Sequence, residues 1–153
     1  MKTYDCNNIE SNEISTITPL QNSKINYIPY TDKPLNWHTD GYYDKKSIFS
    51  WLLHCVNPAT QGGENYLLDH ELVLREYLLR NDDINYLMAE DALTIPASKD
   101  TSRPEISTYI FSFKNKYRRL HMRFSMRKDN IGTSVKASPA IVKLREIIEG
   151  LLN

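Results

Sequence analysis

The sequence predicts a single α+β domain that is mainly β. Ten tyrosines and only five glycines among 153 residues favour strands over a flexible, loop-rich chain. Short runs of β-branched and aromatic residues recur along the chain, whereas helical patterns are confined to its middle and its end. With 41% hydrophobic and 25% charged residues, the composition is that of an ordinary globular protein with a core.

The strands account for most of the expected elements. Residues 1–23 are polar and form a poorly anchored lead-in, so the domain is expected to span residues 24–153. The nearly continuous apolar run Ile48–Val56 predicts a buried strand, with Cys55 as a small buried hydrophobe. Further strands are expected at Ile25–Ile28, Leu35–Tyr43 and Asn65–Leu68, and a hairpin is expected from Ile106–Phe113 and Leu120–Met126.

Helices are expected in three places. The first begins at Asp69 or the next residue and runs to Arg80, because its apolar side chains form one wide face. The acidic turn that follows caps a second, short helix ending near Glu90. Ser138 before Pro139 is a typical helix start, and the third helix runs from there to about residue 152.

The charge balance narrows the classes of partner. A net charge of zero points to neither nucleic acid nor a membrane surface. No apolar stretch reaches the length of a transmembrane span, and Met1–Asn8 shows no signal peptide. We therefore expect a cytoplasmic protein with no nucleic-acid or membrane partner.

A basic run occupies Lys114–Lys128, with seven lysines and arginines and no acidic residue. For Lys114–Arg119 a solvated hairpin tip is the simpler interpretation. Arg123 or Arg127 could instead face an anion, because a dicarboxylate site needs a charged partner.

The pair His38 and Asp40 is the strongest indication of chemistry. Alternate side chains of a strand leave on the same face, so an imidazole and a carboxylate two positions apart can converge on one metal ion. They would supply two of the three protein ligands of a His-x-Asp…His iron site. The competing interpretation is a strand-end histidine that is hydrogen-bonded to a nearby carboxylate.

Several segments together resemble one protein family. They are Asn36–Gly41, Leu53–Pro58 and Gly62–Asn65 with Asp69, supported by Tyr30–Leu35 and Leu120–Phe124. Across about residues 25–150 the chain resembles the taurine dioxygenase (TauD/TfdA-like) branch of the iron(II)/2-oxoglutarate oxygenases. The resemblance implies a partial double-stranded β-helix, or jelly roll, with helical insertions.

The resemblance also implies roles for individual residues. His38 and Asp40 would ligate Fe(II). Asn65 stands where the family usually has a threonine that helps hold the co-substrate 2-oxoglutarate, and its amide can donate to a carboxylate. Apart from the resemblance, the need for a charged partner makes Arg123 of the basic run the residue expected to pair with a co-substrate carboxylate.

The family's second histidine and its co-substrate arginine follow a helix that resembles Ser138–Leu152. We therefore expect this chain to lack the C-terminal part of the domain. Among the remaining histidines, His54 and His70 are expected to be structural or capping. His121 is the best internal candidate for a third ligand, although a cavity-lining role is favoured.

Two functions follow. The first is an oxygenase that hydroxylates a small organic substrate with Fe(II) and 2-oxoglutarate and is incomplete in this chain, as a fragment. The second is a non-catalytic remnant or binding module on the same scaffold. A partial jelly roll leaves strand edges open, so we expect a homo-oligomer or a complementing C-terminal chain.

Overall fold

The computed structural model describes residues 34–43, 50–97, 103–114 and 118–152, in which two helices are followed by five short antiparallel strands and a final helix. The helices are α1 (His70–Arg80), α2 (Ile84–Leu87) and α3 (Ser138–Leu152). The strands are β1 (Leu93–Ile95), β2 (Ile106–Thr108), β3 (Phe111–Lys114), β4 (Arg119–Met122) and β5 (Gly132–Thr133), with a short 3₁₀ helix at Lys128–Asn130. None of the helices in these ranges is both long and apolar enough to cross a bilayer.

The two sheets are small and antiparallel. β1 lies between β2 and β5, with Thr94 opposite both Ser107 and Gly132. β3 and β4 form the predicted hairpin, in which Ser112 faces His121. The hairpin is therefore confirmed, and Arg118 and Arg119 at its tip are exposed as expected.

The predicted strand Ile106–Phe113 is in fact two strands in different sheets. The break lies at Ile110, whose N–H donates to the carbonyl of Leu87 at 2.8 Å and whose carbonyl accepts from Arg123 N–H at 2.8 Å. Because both backbone groups of Ile110 are bonded outside the β2 ladder, the chain leaves one sheet there and enters the other.

The helices begin largely where the sequence predicts. The carboxylate of Asp69 accepts from Glu71 N–H at 2.8 Å and caps α1, and α3 begins at Ser138. The second helix, expected to reach about Glu90, ends at Leu87 because a turn closes between Ala89 and Ala92.

The core lies where α1 and α2 pack against α3 and where the strands meet them. Helix α3 contributes one side of its surface, since a stripe at helical spacing is buried there: Ala140, Ile141, Leu144, Ile147 and Ile148. Side chains that are fully buried elsewhere include Tyr77, Leu87, Leu93 and Phe111. This shared core ties the hairpin to the helices.

Residues 50–68 contradict two predicted strands. This segment has neither helix nor strand, and Leu52 and Leu67 are each 91% exposed. The buried strand Ile48–Val56 is therefore wrong from residue 50 onward, the strand Asn65–Leu68 is wrong, and Cys55 is exposed rather than buried. An apolar run becomes a buried strand only when a second layer covers it, and no described element packs over this one.

The α+β class is confirmed, but in the described ranges more residues lie in helices than in strands, so the expected preponderance of strands is not seen there. Those ranges form no closed barrel. The predicted strand Ile25–Ile28, the lead-in 1–23 and residues 48 and 49 lie outside the described residues.

Candidate metal centre

A short antiparallel contact places His38. Thr39 N–H donates to the Phe124 carbonyl at 3.0 Å, and Met126 N–H donates to the Trp37 carbonyl at 2.8 Å. These two bonds frame the pair His38 and Ser125, which face each other across the bridge. Such a non-hydrogen-bonded pair brings the two side chains close together. The extended segment 123–126, which follows β4 and is not one of the named strands, therefore sets the position of His38.

Thr39 ends this contact and starts a turn. Its hydroxyl accepts from Phe124 N–H at 3.0 Å, in the place its own carbonyl would occupy in a continued ladder. The Thr39 carbonyl instead accepts from Tyr42 N–H at 3.3 Å and closes a turn through Asp40 and Gly41. Gly41 has φ of 63°, the left-handed region that favours glycine. The expected extended segment Leu35–Tyr43 is therefore wrong beyond Thr39.

The turn brings Asp40 back towards His38. Nε2 of His38 lies 3.4 Å from Oδ1 of Asp40, and Nδ1 lies 2.7 Å from the Asn36 carbonyl. A carbonyl can only accept, so Nδ1–H is the donor and Nε2 is the nitrogen that faces the carboxylate. The hydrogen bond with Asp40 raises the pKa of His38 and outweighs the opposing effect of burial.

This donor set fits a divalent metal ion. Two ligand atoms each about 2.1 Å from one ion are about 3.0 Å apart at a right angle and about 3.4 Å apart at a tetrahedral angle. The 3.4 Å between Nε2 and Oδ1 lies within that span. The His38 and Asp40 side chains are 29% and 44% exposed, so an ion can reach them. The described part of the chain contains no group of three or more potential metal ligands.

Comparison with known families identifies the scaffold. A model of the "Taurine catabolism dioxygenase TauD, TfdA family" matches residues 4–140. The chain belongs to this family. A Streptomyces protein named uridine-5'-phosphate dioxygenase is 32% identical over 65 residues, which are 42% of this chain and 24% of that protein. The chain thus matches about a quarter of the length of this curated relative. No solved structure matches the chain.

Membership of the TauD/TfdA family makes this chain part of an oxygenase lineage. Arg123, predicted from the sequence as a site residue, lies behind the turn that carries Asp40. Arg123 is 3% exposed and donates through an Nη to the carbonyl of Tyr42 at 3.2 Å. It therefore holds the far end of the turn that carries Asp40. Arg123 and Ser125 are both buried on the extended segment 123–126 that lies against His38.

Asn65 lies in the exposed segment, where its amide donates to the Gly63 carbonyl at 3.4 Å. Gly62 and Gly63 have φ of 78° and 85°, so the predicted turn is present. The next residue, Tyr66, has its ring centroid 6.5 Å from that of Trp37, the neighbour of His38. The structure thus brings Tyr66, which follows this turn, near Trp37, the sequence neighbour of His38.

The other histidines are separate from the pair. His54 is exposed, in the segment wrongly predicted as a buried strand. His70 opens α1, and its Nε2 lies 3.3 Å from the Leu120 carbonyl, which agrees with the structural role expected for it. His121 lies on β4 opposite Ser112. None of them joins His38 and Asp40 in a cluster of three ligands within the described residues.

Arg145 was not anticipated from the sequence. It reaches from α3 to the strand behind His38, with Nη1 2.7 Å from the Met126 carbonyl and Nη2 3.3 Å from the Ser125 carbonyl. One signal could have revealed it: Arg145 follows Ile141 by four residues and precedes Ile148 by three, so it is on the side of the helix that carries the buried stripe.

Proposed function

We propose that this chain belongs to an oxygenase that hydroxylates a small organic substrate with Fe(II) and 2-oxoglutarate. His38 and Asp40 serve as two of the iron ligands in this proposal. The observation that carries it is the convergence of Nε2 and Oδ1 to 3.4 Å in a TauD/TfdA-family chain. An imidazole and a carboxylate beside open coordination positions are the donors typical of non-haem iron oxygenases.

The residues around the pair prepare it for a cation. The Asn36 carbonyl holds the Nδ1 proton of His38, so that Nε2 can present its lone pair. Asp40 brings the negative charge, and Thr39 fixes the turn between the two ligands. When bound, iron would activate oxygen, which is the oxidant: one oxygen atom would enter succinate as 2-oxoglutarate loses carbon dioxide, and the other would enter a C–H bond of the substrate.

Arg123 and Asn65 are the proposed co-substrate contacts. A guanidinium has five N–H donors in a planar fork, and a bidentate contact with a carboxylate is stronger than a neutral hydrogen bond. Arg123 is buried on the strand facing His38, where a charge pair is screened less than at the surface. The Asn65 amide lies beside Tyr66, whose ring approaches Trp37.

The proposal needs a third iron ligand. No group of three ligands occurs in the described ranges, so the third would come from a residue outside them. We propose that it lies in a C-terminal part of the domain that completes the jelly roll. A complementing chain or a second copy in a homo-oligomer are the two other sources. A cytoplasmic location stays a prediction.

The name of the Streptomyces relative suggests where to look for the substrate. That relative is named for action on uridine 5'-phosphate, and it shares 32% identity with this chain over 65 residues. Uridine 5'-phosphate is therefore the first compound to assay, followed by other small organic acids.

Anaerobic titration with Fe(II) and then 2-oxoglutarate tests the proposal. The wild-type chain should bind Fe(II), weakly if the third ligand is missing, and should develop a visible charge-transfer band with 2-oxoglutarate. His38→Ala and Asp40→Ala should each abolish binding, whereas His54→Ala removes an exposed histidine and should not change it. Equal binding by all four proteins would overturn the assignment of the ligands.

Admission of oxygen separates the two functions. Succinate formed by this chain alone would support the oxygenase and would show that no C-terminal part is missing. Succinate that forms only after a C-terminal segment is supplied would support the incomplete oxygenase. Iron binding with no succinate in either case would favour the binding module.

A further inference from the structure

We propose that Arg145 is a positioning residue for His38 and Asp40, acting through the strand segment Phe124–Met126. The metal role of the pair rests on the proposed function, whereas the positioning itself does not. Arg145 contacts neither side chain. It is instead bonded to the backbone against which His38 is aligned.

Arg145 contacts the segment Phe124–Met126 directly. One guanidinium nitrogen lies 2.7 Å from the Met126 carbonyl and the other lies 3.3 Å from the Ser125 carbonyl. The guanidinium carbon also lies 5.1 Å from the centre of the Phe124 ring. Hydrogen bonds from a charged donor are shorter and about twice as strong as neutral ones. Three consecutive residues of the strand are thus held by one side chain.

The segment Phe124–Met126 is in turn bonded to the residues around His38. The other backbone group of Met126, its N–H, donates to the Trp37 carbonyl at 2.8 Å. Thr39 N–H donates to the Phe124 carbonyl, the Thr39 hydroxyl accepts from Phe124 N–H, and Ser125 lies opposite His38. Every residue held by Arg145 is therefore in contact with the segment 37–39. A shift of the strand would move His38 and the turn that carries Asp40.

Arg145 is itself fixed by its position on helix α3. Arg145 is half-buried and lies beside the buried stripe of α3, between Ile141 and Ile148, and Leu144 next to it is fully buried. A cation on such a face costs free energy unless it is hydrogen-bonded, and the two carbonyls meet that need. An apolar side chain of the same length could fill the space but would leave both carbonyls without this donor. The contact therefore transmits the rigidity of the core to the metal pair.

Arg145→Met and Arg145→Lys test the inference, with Lys143→Met as the matched control. Lys143 lies on the same helix and pairs with Asp83 at 2.8 Å, away from the strand. Its loss should lower stability without changing the strand contact. Three quantities are compared: the melting temperature, amide hydrogen exchange at Thr39 and Met126 in the metal-free protein, and affinity for Co(II) as a probe of the metal pair.

Arg145→Met should speed exchange at the Thr39 and Met126 amides by about tenfold relative to the Ile147 amide of α3, since bonds from a charged donor are lost. It should weaken Co(II) binding by about tenfold or more, the usual effect of removing a residue that supports metal ligands. Arg145→Lys, which keeps one donor group, should fall in between and covers the case in which the methionine variant does not fold. Lys143→Met should show neither effect at matched stability.

The inference would be overturned if, at matched stability, the Arg145 variants and Lys143→Met showed the same amide exchange rates and the same Co(II) affinity. Faster exchange in a protein whose wild type does not bind Co(II) would support the positioning role and reject the metal role. Co(II) binding by the wild type that persists in both Arg145 variants would reject the positioning role alone.

Discussion

Nε2 of His38 lies 3.4 Å from Oδ1 of Asp40, and the Nδ1 proton of the same ring is held by the Asn36 carbonyl. When His38 is protonated, the proton on Nε2 occupies the place that a metal ion would take. Proton and metal compete for one nitrogen, so metal binding should release a proton and should strengthen as the pH rises through the pKa of His38.

Asp40→Asn should lower the pKa of His38, because the hydrogen bond with Asp40 is the main cause that raises it above 6.5. The raised pKa means that this pair stabilises the fold fully below about pH 6.5 and that the contribution disappears as the pH rises through the folded-state value. NMR titration of the His38 ring measures the shift. Asp91→Asn, which removes an exposed carboxylate elsewhere, should leave it unchanged. An unaltered pKa in Asp40→Asn would contradict the ion pair.

Thr39→Val should destabilise the protein by about 1–3 kcal/mol, the usual cost of leaving a buried donor without its acceptor. The hydroxyl of Thr39 accepts the N–H of buried Phe124 at 3.0 Å, and valine has the same shape without the oxygen. Thr39→Ser keeps the oxygen and should cost much less. Urea denaturation gives both values, and equal losses in the two variants would show that the hydroxyl is not the cause.

Gly41→Ala should cost about 1–2 kcal/mol, because φ of 63° places a Cβ against the following carbonyl. Asparagine tolerates this conformation better than alanine, so Gly41→Asn should be milder although its side chain is larger. Thermal unfolding ranks the two variants. A larger loss for asparagine would point to crowding at the turn rather than to backbone strain.

Asp83→Asn should destabilise the helical core by about 1–3 kcal/mol. Asp83 accepts from the hydroxyl of buried Tyr77 at 2.5 Å and from Lys143 at 2.8 Å. The exposed neighbour Asp82 provides the control, since Asp82→Asn removes the same charge without these bonds. Chemical denaturation at neutral pH compares them, and similar losses would show that the network adds little.

The same carboxylate predicts a pH dependence. Burial alone would raise the pKa of Asp83, but the hydrogen bonds from Lys143 and Tyr77 outweigh it and the pKa is lowered. The stabilisation is therefore present above about pH 4 and is lost as the pH falls through the folded-state pKa. Stability measured between pH 5 and pH 2 should decline less steeply in Asp83→Asn than in the wild type. Parallel curves would contradict the assignment.

The approach of His38 to Asp40 was predicted, but the expected reason was wrong. Alternation along a strand would place both side chains on one face. In the structure, however, Asp40 lies in a turn that begins where the Thr39 hydroxyl accepts a hydrogen bond from Phe124 N–H. Sequence spacing alone could not show this, because Phe124 is 85 residues away. The spacing of a motif predicted which atoms meet and not how the backbone brings them together.

The wrongly predicted strand and the strands that were missed have one cause in common: both depend on contacts with distant parts of the chain. The apolar run Ile48–Val56 has the composition of a buried strand, yet burial depends on a covering layer that its own residues do not encode. Strands as short as Leu93–Ile95 and Gly132–Thr133 carry too few residues for a period to be visible, and they form because each pairs with a neighbour. By contrast, α3 has fifteen residues with a clear stripe and was predicted almost to its ends.

The contact between Thr39 and Phe124 also has a kinetic consequence, since it closes a loop of 85 residues. Closing a flexible loop of that length costs about 4 kcal/mol of chain entropy, so this contact can persist only after the helices and hairpin between its ends have formed. His38 and Asp40 are two residues apart in sequence, yet we expect their alignment to be a late event in folding. A metal ion that binds only the aligned pair would therefore stabilise the folded state over the unfolded chain. The rate of metal uptake would then report the completion of folding.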